Sequence, residues 1–198
     1  MTTYSRLYYG ISKAAWGYFF LYFDINIGTI SLLPSFIGYI LFTQAINLLS
    51  NEEREFAVLR PFAVLMTVWS LVEWICKIFA FDISTGIRVA GIVFSIIALY
   101  FNFQFITNIA SLAARYQNEG CEYDKKLLIL RTVQIIMHTC FIIISNFYFL
   151  FNEIWTVISV ILMLIYCVVC IFIMARLFGL RKNLKPDDFE TENPSEAL

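Results

Sequence analysis

The chain has 198 residues, is 60% hydrophobic and only 15% charged, and carries a formal net charge of −1. Soluble domains average about 45–50% apolar and about 25% charged residues, and a small fold has too much surface per volume to hide more. Composition therefore excludes an ordinary soluble domain, and the near-neutral charge excludes the basic excess of a nucleic-acid-binding protein.

A hydrocarbon core of about 30 Å is crossed by roughly 20 apolar residues at about 1.5 Å per residue. Six stretches reach this length, predicting an all-α polytopic membrane domain over residues 1–180. The first, residues 7–23, is short, aromatic and carries Lys13. It has neither the strongly basic start nor the small-x-small site of a cleaved signal. The second, residues 28–49, has Pro34 near its outer end, where it should bend the helix, and Gly38, which permits close helix approach. The third, residues 61–81, opens on Pro61, a residue suited to a first helical turn. The fourth, residues 86–113, is long enough to tilt. Residues 127–151 and 154–177 form the fifth and sixth. The runs are continuous rather than alternating, which predicts helices and not barrel strands. Residues 181–198 read as a disordered acidic cytoplasmic tail.

The connections alternate in charge. Arg6, Lys13, Arg54, Arg60, Arg115, Lys125, Lys126, Arg131, Arg176, Arg181, Lys182 and Lys185 fall on one side, twelve of the fourteen basic residues. Lys77 and Arg88 fall towards the other, beside acidic turns at Asp24, Asp82 and Glu153. Positive residues stay cytoplasmic during insertion, so both ends are expected inside a cell membrane. Phe23-Asp24-Ile25 and Phe81-Asp82-Ile83, with Phe151-Asn152-Glu153-Ile154 as a looser copy, hint at a parallel repeat or at chance similarity.

Several polar residues stand inside the apolar runs. Glu73 and Lys77 are four apart, on one helix face in the favourable order. A charge in hydrocarbon is costly, so the pair reads either as a proton or solute site or as a neutralised structural pair with Lys77 snorkelling outward. His138, the only histidine, falls at the level of Cys167, with Cys140 and Cys170 nearby. That set is better read as packing than as a metal site, because cysteine is a common small apolar residue in helices. Gln44 with Asn47, Gln104 with Asn108, and Gln134 with His138 form polar stripes. They either line a cavity open to the inside or hydrogen-bond the bundle together.

No nucleophile elbow, zincin, phosphate-loop or dinucleotide motif occurs, so no catalytic residue, metal or cofactor is assigned. Asp24-Ile25-Asn26-Ile27, Ile30 and Leu33-Pro34-x-Phe36-Ile37-Gly38-Tyr39-Ile40-Leu41 resemble a stretch in uncharacterised multi-spanning membrane proteins of Gram-positive bacteria. The resemblance implies a bacterial cytoplasmic membrane and transfers no activity. The six-helix layout also resembles the substrate-binding subunits of energy-coupling-factor vitamin transporters, although Ala14-Ala15 is not their small-residue docking motif. The expected function is binding or transport of a small-molecule ligand between the helices, in contact with the lipid bilayer, at Glu73, Lys77, Gln104, Asn108, Gln134 and His138. The alternatives are a structural subunit docking a membrane-protein partner through residues 51–60 and 115–126, and an intramembrane enzyme using Glu73 and His138.

Overall fold

The computed structural model describes residues 2–23, 26–27, 30–31, 34–79, 85–146 and 153–184. Among them are six α-helices and one antiparallel strand pair. Helix α1 (Thr3–Tyr22) begins where the Thr2 hydroxyl accepts the Ser5 amide at 3.3 Å, an N-cap that satisfies an otherwise orphaned donor. Strands β1 (Asn26–Ile27) and β2 (Ile30–Ser31) follow, paired Asn26 with Ser31 and Ile27 with Ile30.

That strand pair corrects the second expected span. Residues 28–49 are not helical throughout: α2 is Ser35–Leu49, 15 residues and so about 22 Å long. Pro34 stands at its start with extended backbone (φ −68°, ψ 132°). A proline biases the residue before it away from helical geometry, so a helix seldom continues backwards through that point. Pro34 therefore starts the helix instead of bending it.

Helix α3 (Glu55–Ile78) contains Pro61 in its interior rather than in its first turn, a second correction. Its start is fixed earlier, by the loop before it. There Phe56 N donates to Glu53 O and Ala57 N to Arg54 O, both at 3.1 Å. Helices α4 (Thr85–Tyr116), α5 (Tyr123–Asn146) and α6 (Glu153–Lys182) complete the set. Residues 185–198, the expected tail, lie outside the described residues, as do Asp24 and Asp82.

Four helices are long and apolar enough to cross a membrane: α3, α4 from Val89, α5 to Ile144, and α6 from Val157. Helix α1 is long enough but carries Arg6 and Lys13, and α2 is apolar but short. Both are nonetheless well buried. Each helix packs on its neighbour in sequence, and α6 returns to α1, closing a ring. Helices α1 and α2 cross where Gly17 meets Gly38. A Cβ on Gly38 would lie 2.9 Å from the Gly17 carbonyl oxygen and 3.1 Å from Leu21 N, so the crossing depends on the absent side chains.

Around that contact sits an aromatic core. Phe42 meets Tyr18 at 5.4 Å, Phe101 at 5.5 Å and Phe105 at 4.8 Å, all edge to face. The buried residues cluster towards one end of the bundle: Leu7 to Tyr18, Tyr39 to Leu49, Phe56 to Met66, Ala98 to Ala113, and Val169 to Leu184. Ion pairs close the same end. The Arg6 guanidinium binds Glu52 Oε1 through Nη2 at 2.8 Å and Nε at 3.0 Å, and Arg115 Nη2 meets Glu53 Oε2 at 3.0 Å. Arg181 Nη1 donates to Ser12 Oγ at 3.0 Å, and Asn183 Nδ2 donates to the Tyr123 hydroxyl at 2.8 Å.

Towards the other end the helices present aliphatic side chains outward, among them Val72 and Ile75, Val93 and Ile96, Ile136 and Ile143, and Ile161 and Leu164. Threonine hydroxyls on these helices are satisfied locally. The hydroxyls of Thr43, Thr67, Thr132 and Thr139 each donate to the carbonyl four residues back, at 2.8–2.9 Å. Such back-bonding lets a hydroxyl sit among hydrocarbon without an unpaired donor.

Candidate functional site

Two cavities lie at the end of the bundle opposite the ion pairs. The first has a volume of about 180 Å³ and is walled by α2, α3 and α4, with Leu21 and His138 on its far side. Its α3 wall is Met66, Trp69, Ser70 and Glu73, and its α4 wall is Gly91, Phe94, Ser95 and Ala98. Both sets follow the i, i+3, i+4, i+7 spacing of a single helix face. Ser35 and Tyr39 come from the first turns of α2, which is where Pro34 places them by starting the helix late.

Glu73 stands at the rim of this cavity, exposed along one edge, in the penultimate turn of α3. The Trp69 indole hydrogen-bonds its carboxylate and is itself stacked on Phe94, with ring centroids 4.0 Å apart and planes within 8°. The carboxylate is thus held by a side chain that is in turn held by packing. Ser95 Oγ donates to the Gly91 carbonyl at 2.8 Å, leaving its oxygen as an acceptor.

The second cavity, about 210 Å³, lies between α1, α5 and α6. It is apolar in character, lined by Leu21, Tyr22, Phe141, Met163, Tyr166 and Cys167 together with His138. Leu21 and His138 line both cavities, so they form the partition between a polar and an apolar chamber. His138 Nδ1 is 3.5 Å from the Tyr166 hydroxyl, and the two rings meet edge to face at 5.8 Å.

The polar residues expected to act together are divided by the structure. Glu73 and His138, from α3 and α5, line one cavity. Lys77 is exposed one turn beyond Glu73 and does not line either cavity; among the described residues no ion pair within 4 Å joins the two. The Gln104 and Asn108 side-chain amides meet at 2.8 Å within α4, and the Asn108 amide also lies 3.2 Å from Glu55 Oε2 of α3. Gln134 Nε2 donates to the Tyr22 hydroxyl at 3.0 Å and approaches Cys170 Sγ at 3.8 Å. Gln44 accepts from Lys13 across α1 and α2. None of Gln104, Asn108 and Gln134 lines either cavity. The stripes bond locally or to a neighbouring helix, and both cavities lie at the opposite end from the basic loops.

No protein-family model matches this chain, and no curated protein or solved structure does either.

Sequence reasoning missed Ser35, Tyr39, Ser70 and Ser95. The signal for Ser70 and Ser95 was present in the paired runs Met66-x-x-Trp69-Ser70-x-x-Glu73 and Gly91-x-x-Phe94-Ser95-x-x-Ala98, whose matched spacing marks two faces able to wall one space; Ser35 and Tyr39 enter only because α2 starts at Ser35. Among the described residues no group of three or more His, Cys, Asp or Glu side chains is placed to hold a metal ion. Cys167 lines the apolar chamber beside His138, while Cys170 is buried against Gln134.

Proposed function

We propose that the chain is a six-spanning protein of a bacterial cytoplasmic membrane, with both ends inside, that holds or passes a small ligand in the cleft between its helices. The observation that carries this reading is the shared cavity of Glu73 and His138. Ionisable groups on membrane helices are costly and face protein or a wet cavity when they persist. Here one lines a chamber with Ser35, Tyr39, Ser70 and Ser95, a small set of convergent polar groups among apolar walls, as in binding sites generally. The orientation rests on the one-sided lysines and arginines. The ion pairs of Arg6 and Arg115 and the Arg181–Ser12 hydrogen bond gather at one end of the bundle, in keeping with it. With that end inside, the cavities face the outer half.

The test is a thermal-unfolding screen of the full chain in lipid nanodiscs against small polar solutes. A solute bound in the cleft raises the unfolding temperature, and both Glu73→Gln and Ser70→Leu remove the effect while leaving the unliganded protein folded. A panel that stabilises nothing, with a stoichiometric membrane protein co-purifying instead, would replace this reading with that of an interaction subunit.

A further inference from the structure

The adjoining chambers also carry information on the kind of ligand. Resting on the binding reading above, we infer that the ligand is an organic monocation with an apolar tail, its ammonium group beside Glu73 and its tail beside Phe141 and Met163.

The polar chamber presents one carboxylate and, among its described lining residues, no lysine or arginine. An anion there would face Glu73 in a medium of low dielectric, where like charges repel far more strongly than in water. A neutral ligand would leave the carboxylate with only Lys77, one turn on and outside the chamber, to offset its charge. An ammonium group supplies that charge, and its N–H donors match the acceptor oxygens of Ser70 and Ser95 on the two flanking helices. Trp69, fixed between Phe94 and Glu73, holds the carboxylate in place before the ligand arrives.

The tail follows from the partition. Each chamber, at about 180 and 210 Å³, is smaller than the 300–1,000 Å³ typical of sites for drug-sized molecules. Leu21 and His138 belong to both, so a molecule seated at Glu73 has the apolar chamber as its neighbour across these two side chains. A short hydrocarbon tail is the group that this second lining desolvates favourably.

The experiment compares hexylammonium, hexanol and hexanoate binding to the full chain in nanodiscs by calorimetry, with empty nanodiscs subtracted. Hexylammonium should bind about tenfold or more tighter than hexanol, as expected for a charge-assisted contact. Glu73→Gln should erase that preference without changing the unliganded unfolding temperature, and Met163→Trp, which sets a bulkier ring at the partly exposed wall of the apolar chamber, should weaken both ligands. Equal binding of hexanol and hexylammonium, preference for hexanoate, or a preference that survives Glu73→Gln overturns the cation assignment. In those cases sensitivity to Met163→Trp still upholds the cleft as a binding site. Absence of binding by all three ligands overturns the cation and the binding reading together.

Discussion

Gly38 and Gly91 are both helical glycines, yet their surroundings give opposite expectations. At Gly38 a methyl group would press on the Gly17 carbonyl at 2.9 Å and on Leu21 N at 3.1 Å, and backbone atoms cannot swing aside. Gly38→Ala should therefore destabilise the protein by about 1–3 kcal/mol, the usual cost of overpacking. At Gly91 nothing lies within 4 Å of the added carbon, so Gly91→Ala should be neutral or stabilise by about 0.5 kcal/mol through helix propensity. Unfolding by a denaturing detergent, followed for both variants, checks the pair. Arg131 offers a third test: its Nη1 donates to Thr107 Oγ1 at 2.7 Å while its guanidinium lies 4.3 Å from the centre of the Phe103 ring. A lysine cannot reproduce a planar group that stacks and donates at once. Arg131→Lys should lose about 1 kcal/mol, as removal of a charged hydrogen bond and a ring contact would.

Helix boundaries were legible to different degrees, for local reasons. The fourth helix follows its apolar run closely, and the sixth starts with its run but continues past residue 177 to Lys182, because an apolar stretch of that length has few alternatives in lipid. The second was read too long, since residues 28–33 continue the apolar run but precede Pro34. The third was read too short at its start, because Glu55 and Arg60 look like loop residues until the α2–α3 connection is seen clamped from both sides. The clamp makes its own prediction. Glu52 is 9% exposed and receives two donors from Arg6, whereas the Glu53 pair includes an Arg115 side chain that is 54% exposed. Glu52→Gln should therefore lower stability by about 1–2 kcal/mol, as loss of a partly buried charged pair does, and Glu53→Gln by under about 1 kcal/mol. The same unfolding assay orders the two variants, and a larger effect at Glu53 would contradict the burial argument.

At the scale of the whole molecule, the ring of helices is tightly packed where the basic loops gather and opens into two chambers at the other end. In the proposed orientation, Cys121, in the α4–α5 connection, reports the inner side. In a chain whose other four cysteines are replaced by serine, an impermeant thiol reagent should label it in inside-out vesicles and not in right-side-out ones. Labelling from outside would reverse the orientation, and the chambers would then face the cytoplasm. The sequence by itself determined that the chain is helical, that its third to sixth apolar runs are long enough for lipid, which connections hold the positive charge, and that Glu73 and His138 are out of place. Each of these depends on the transfer free energy of one segment at a time, which local composition sets. Only the tertiary structure decided that Glu73 and His138 line one cavity while Gln104 and Asn108 bond to each other, and that Gly17 meets Gly38. In lipid a helix face turned to a neighbour is no more apolar than one turned to hydrocarbon, so the usual amphipathic signal is absent. The faces that meet are then selected by shape, between residues far apart in the chain.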